Sequence, residues 1–89
     1  MLTQYFEFGR VLVTAGAEMS LEYEEIFDLL RWHGQLKKGD LCEEDYNLNR
    51  MALKTGDRIL SCYIIRGEKF YVITEGDRSY TTLMKAEEY

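Results

Sequence analysis

Few residues of this chain suit covalent or acid–base chemistry. There is one histidine, His33, and there are two cysteines, Cys42 and Cys62. A cysteine nucleophile needs an imidazole within hydrogen-bond reach. Cys62 stands in the apolar run "ILSCYII", where a thiol behaves as a small inert hydrophobe. His33 closes the apolar face of a helical segment, where an imidazole packs and hydrogen-bonds. A second group is "TEGDRS", with Glu75 and Asp77 flanking Gly76 beside Arg78. Paired carboxylates do acid–base work only where a cleft shifts their pKa values. Between two apolar runs this stretch reads instead as a turn. Gly76 is expected to supply a positive φ, Asp77 to bond nearby amides, and Arg78 to pair with Glu75, Asp77 or the acidic C-terminal residues.

A third group gathers His33, Asp40, Cys42, Glu43, Glu44 and Asp45 within a short span. Structural zinc needs paired Cys or His spacings such as CxxC, and an EF-hand needs alternating Asp with a central Gly. Neither pattern is present. No metal, no cofactor and no catalytic residue is therefore expected, and the chain reads as a binding protein more than as an enzyme.

Net charge narrows the partners. Sixteen acidic and eleven basic side chains leave −5. Direct binding to nucleic acid is disfavoured, because counterion release needs a basic stripe. A basic or nucleic-acid-handling protein is the complementary partner. The start "MLTQYFEFG" lacks the basic and apolar regions of a signal peptide. No run approaches the roughly 20 apolar residues of a membrane span. Both thiols are read as reduced, in a cytoplasmic protein.

These residues must be positioned by elements that 89 residues can form, in a single domain over residues 1–89. Residues 5–14, "YFEFGRVLVT", are aromatic and β-branched and predict one or two strands, with Gly9 as a bend; "AGAEM" then breaks the pattern. Residues 20–34 predict a helix with Ser20 as N-cap, an acidic first turn and Gly34 at its end. Helical spacing gathers Tyr23, Ile26, Phe27, Leu30 and His33 on its core face, with Leu29 at the edge. Residues 43–56 predict a second helix with Leu48, Met51 and Ala52 toward the core, Tyr46 and Leu53 beside them, and Asn49 inside the apolar arc. Residues 58–65, 69–74 and 79–84 predict a three-strand meander, its first turn carried by Gly67. Strands and helices in separate runs predict an α+β fold with an antiparallel sheet packed against two helices.

The helix over residues 20–34 also carries the strongest binding signal. Glu24, Glu25, Asp28, Leu21 and Trp32 fall opposite its core face. A tryptophan among carboxylates suits an anchor for a protein partner, since Trp is enriched in interface hot spots. The competing expectation is that the N-terminal strands or the loop "QLKKGD" cover the indole.

In "FEFGRVLVTAGA", "LLRWHG", "LCEEDYNLNRMALKTGDRILSCY" and "YVITEGDRSYTTLMKAEEY" the chain resembles a family of small bacterial proteins carried by plasmids, phages and other mobile elements. The most specific block is ITE-x-DRS-x-TT with a terminal EEY, matched here by Ile73, Thr74, Glu75, Asp77, Arg78, Ser79, Thr81, Thr82, Glu87, Glu88 and Tyr89. The chain departs from the family at "GQLKKGDL", where a Trp-containing loop is usual, and at Gly76, where Ala is usual. The resemblance implies a binding role on a mobile element, such as inhibition of a host defence complex of the CRISPR or restriction kind. The partner surface expected for it is Trp32, Glu24, Glu25 and Asp28. Two other readings stand beside it. One is a small enzyme or ligand-binding domain in which His33, Asn49, Glu75, Asp77 and Arg78 converge. The other is a homodimeric structural subunit joined through an uncovered face of the sheet.

Overall fold

The computed structural model describes residues 3–89. Four strands and three α-helices make an α+β fold: β1 (Arg10–Val13), α1 (Ala15–Ser20), α2 (Tyr23–Gly34), α3 (Glu43–Thr55), β2 (Ile59–Ile65), β3 (Glu68–Thr74) and β4 (Tyr80–Lys85), with a 3-10 turn at Ala86–Glu88. The sheet runs β1-β4-β3-β2.

The meander β2–β3–β4 is antiparallel, with Ser61 opposite Val72 and Val72 opposite Leu83. A two-residue turn joins β2 to β3, with Arg66 at φ 49° and Gly67 at φ 78°. Two successive positive φ values match the right-handed twist of the flanking strands. The sheet is not wholly antiparallel, as the sequence led us to expect, because β1 lies parallel to β4. The reason is topological. All three helices lie between β1 and β2 in the chain, and that long connection crosses from one edge of the sheet to the other. The meander then returns β4 to the side of β1.

Alternation puts Tyr63, Phe70, Val72 and Leu83 on one face, where they pack with Ala17, Leu21, Ile26 and Leu29 from the helices and the segment joining them. Phe6, Leu36, Ala52 and Ile59 form a second cluster. Leu29 and Leu83 are fully buried, and burying such a side chain is worth about 2 kcal/mol.

Several helical expectations are corrected. "AGAEM" is itself a short helix, α1, whose N-cap Thr14 accepts a hydrogen bond from the Ala17 amide at 3.2 Å. Ser20 therefore ends α1 and does not cap α2. Glu22 does so, in a capping box with Glu25. The core face of α2 is Ile26, Leu29, His33 and Gly34, whereas Tyr23 and Phe27 are 75% and 67% exposed. The helix is turned toward Trp32, which packs partly buried against the core with its ring edge-on to Tyr63. Seating that large indole displaces Tyr23 and Phe27 outward. In α3 the buried residues are Asn49 and Ala52, while Leu48 and Met51 are exposed. This helix lies along the edge of β2 and leaves its expected core side largely open. No helix among the described residues is long and apolar enough to cross a membrane.

Candidate functional site

His33 is completely buried at the C-terminal end of α2, where its ring clusters with those of Phe6 and Phe8, which also touch each other. Its Nδ1 lies 2.7 Å from Ser61 Oγ and its Nε2 lies 2.8 Å from Thr74 Oγ1. Thr74 Oγ1 is 2.6 Å from Thr81 Oγ1, which donates to the Phe8 carbonyl at 2.8 Å. A carbonyl only accepts, and this sets the direction of the whole chain. Thr81 donates to Phe8, Thr74 donates to Thr81, and His33 Nε2–H donates to Thr74. Nδ1 is then the acceptor for the Ser61 hydroxyl. Every group is satisfied by a neutral imidazole. Burial pushes the His33 pKa down to about 3, and the Arg78 charge adds to the effect.

Asn49 works at the edge of β2. Its Nδ2 donates to the Leu60 carbonyl at 2.7 Å, and its Oδ1 accepts the Leu60 amide at 3.1 Å. One side-chain amide thereby replaces a neighbouring strand, and this explains a buried Asn within an apolar arc.

Arg78 sits at φ 60° in the turn between β3 and β4. Its Nη1 donates to the carbonyls of Asp57 (2.8 Å) and Glu75 (3.2 Å), and its Nη2 to that of Ala52 (3.0 Å). Its guanidinium also lies 5.7 Å from the centre of the Phe6 ring. Arg78 thus binds carbonyls, where the sequence suggested carboxylates. The turn's positive φ falls on Arg78 and not on Gly76. Gly76 meets a different demand, since a Cβ there would lie 2.7 Å from the Gly56 carbonyl oxygen. Asp77 is exposed, and its Oδ1 accepts the Ser79 amide at 2.9 Å. The Ser79 hydroxyl and amide hold the Asp77 carboxyl below its usual range. The Glu75 amide and carbonyl close the turn with Tyr80 and Arg78.

His33, Asn49, Glu75, Asp77 and Arg78 therefore do not line one cleft. His33 is sealed, Asn49 faces the side of β2, and the other three share a turn. Sequence reasoning missed Ser61, Thr74 and Thr81 as partners of His33. The available signal was their place in the strand alternation, on the same face as Tyr63, Phe70 and Leu83.

The binding surface expected on α2 is also redrawn. Glu25 pairs with Arg66, which also donates to the Ser20 carbonyl at 2.8 Å. The Arg66 guanidinium holds the Glu25 carboxyl below its usual range. Asp28 pairs with Arg31 at 2.8 Å, whereas Glu24 is exposed. Helical spacing places Glu24, Asp28 and Arg31 between the exposed Tyr23–Phe27 pair on one side and Trp32 on the other. The indole forms one wall of an open cleft of about 370 Å³ with Lys37, Gly39, Asp40, Tyr63 and Ile64. The Tyr63 hydroxyl donates to the Lys37 carbonyl at 3.0 Å, and burial pushes its pKa up to about 12.

Cys42 is exposed and Cys62 buried, and both are free thiols. Cys42 Sγ accepts the Asp45 amide at the start of α3 (3.5 Å), while burial pushes the Cys62 thiol up. No family model, curated protein or solved structure matches this chain.

Proposed function

We propose that the protein is a non-enzymatic binding protein that docks a basic partner protein on the outer face of α2. One observation carries this reading. Tyr23 and Phe27, one helical turn apart, are 75% and 67% exposed beside Glu24 and Asp28. Two exposed aromatic rings are costly to leave in water, and such residues dominate interface energetics. The adjoining carboxylates and the net charge of −5 favour a basic surface on the other side. The polar residues suited to chemistry are meanwhile engaged in internal hydrogen bonds. The resemblance to proteins of mobile elements makes nucleic-acid-handling defence complexes the first partners to try, with inhibition as the outcome.

The test is affinity capture from bacterial lysate, identification of the captured protein, and titration of that purified protein against surface variants. Phe27→Ala together with Glu24→Lys and Asp28→Lys is expected to weaken binding by about a hundredfold. Added salt is expected to weaken the wild type further. The control Arg50→Ala with Lys54→Ala on α3 is expected to bind normally. Equal affinity of the α2 variant and the wild type would refute the assignment.

A further inference from the structure

The two edges of the sheet are treated differently. The β2 edge is covered at Leu60 and Cys62, where Asn49 bonds the Leu60 amide and carbonyl and the Asp40 amide donates to the Cys62 carbonyl at 2.8 Å. The β1 edge has no such cover among the described residues. The amides of Arg10 and Thr14 donate to Ser79 and Leu83, on the β4 side. Alternation then turns the amides and carbonyls of Val11 and Val13 away from β4, toward solvent. Val11 and Leu12 are 42% and 41% exposed. The strand, although short, carries neither proline nor an inward-pointing charge, two of the devices that block an exposed edge.

We infer that β1 pairs antiparallel with β1 of a second copy about a two-fold axis at Leu12, joining two four-stranded sheets into one. The register follows from the backbone. Centred on Leu12, Val11 of each copy faces Val13 of the other, and the outward groups of both residues bond in both chains. Centred on Val11, the pairing would run into Gly9, whose φ of 65° breaks the extended strand. Centred on Val13, it would run into Ala15 in α1. Charge favours the same register. Arg10 makes no ion pair among the described residues. In this pairing Arg10 lies opposite Thr14 of the second copy. Thr14 is still extended, with φ −66° and ψ 155°, and its Oγ1 donates to the Glu88 carboxylate at 2.8 Å. Each arginine thus meets a carboxylate of the other copy, twice about the axis. A second copy is the occupant because the edge complements itself in both hydrogen bonds and charge.

Sedimentation equilibrium of the full chain over roughly 1–500 µM is expected to show a reversible monomer–dimer equilibrium. Val11→Pro removes an amide that bonds nothing within the monomer, so the fold survives and dimer dissociation becomes at least about tenfold easier. Arg10→Glu, at an exposed position, is expected to weaken the dimer by about tenfold and to reduce its sensitivity to salt. Directly opposed residues outside the hydrogen-bonded pairs sit about 4.5 Å apart at Cα, within disulfide range. Leu12→Cys in a Cys42→Ser background should therefore crosslink to itself on mild oxidation, whereas Ile64→Cys on the opposite edge should not. A chain that stays monomeric throughout this range overturns the inference. So does a dimer that Ile64→Cys crosslinks and Leu12→Cys does not, or a monomer that instead takes up an added foreign strand at β1.

Discussion

A fully buried imidazole links folding stability to proton concentration. The folded pKa of His33 is about 3, against 6.5 for a free imidazole. The unfolded chain therefore binds a proton at His33 that the folded chain refuses. The contribution is complete above pH 6.5 and is lost as pH falls from 6.5 toward 3, with a slope of up to about 1.4 kcal/mol per pH unit. Urea titrations between pH 7 and 5, above the main carboxylate range, should show wild-type stability falling with pH. His33→Leu should be less stable at pH 7 by about 2–4 kcal/mol, because Ser61 and Thr74 lose their partner, and should lack most of that slope. Parallel pH curves for the two proteins would mean that the imidazole charges freely in the folded state. Arg78 makes a separate demand. A left-handed backbone costs a non-glycine residue about 1 kcal/mol, offset here by three carbonyl contacts. Arg78→Ala loses those contacts and keeps the strain, whereas Arg78→Gly loses the contacts and relieves it. Both are expected to be destabilised in denaturant titrations, the glycine variant less so by about 1 kcal/mol. Equal stabilities would place the cost elsewhere.

Elements differ in how far their sequences disclose them. The meander was readable because "RILSCYII" and "KFYVIT" are short runs rich in β-branched and aromatic residues, and Gly67 marks the turn between them. Asn49 was recognisable as a buried amide needing partners, although the edge strand that satisfies it lies in another element. The α2 face was not readable, because apolar residues surround most of its circumference. Tyr23, Phe27 and Trp32 compete for one core, and their order is settled by Tyr63, to which sequence spacing does not connect them. The short α1 was hidden for a different reason. Its cap, Thr14, continues a strand, and its stability comes partly from Glu88 at the far end of the chain. Arg66 and Arg78 illustrate the same limit. Each occupies a left-handed turn position that favours glycine, and each reaches the last turn of a helix, α1 through Ser20 and α3 through Ala52. Cations suit such carbonyl ends, but only the assembled fold reveals the matches.

At the scale of the whole molecule, the proposed functions are distributed over surfaces. On the readings proposed above, the outer face of α2 would present aromatics and carboxylates to a basic protein and the β1 edge would present backbone to a second copy, while the polar interior holds the two sheet-to-helix seams together. Thr14 and Glu88 bond across 74 positions of sequence, and β1 has β4 as its strand neighbour. A chain made from its N-terminus therefore holds β1 unpaired until β4 has left the ribosome. Such long-range closure slows folding, and it withholds the β1 edge in its paired form until β4 has emerged. Stalled nascent chains with residues 80–89 still inside the exit tunnel should remain sensitive to protease, and release should make them resistant. Resistance before release would show that β2, β3 and the helices fold without their closing strand. Pairing of two copies at β1, as inferred above, would thus wait on the emergence of β4.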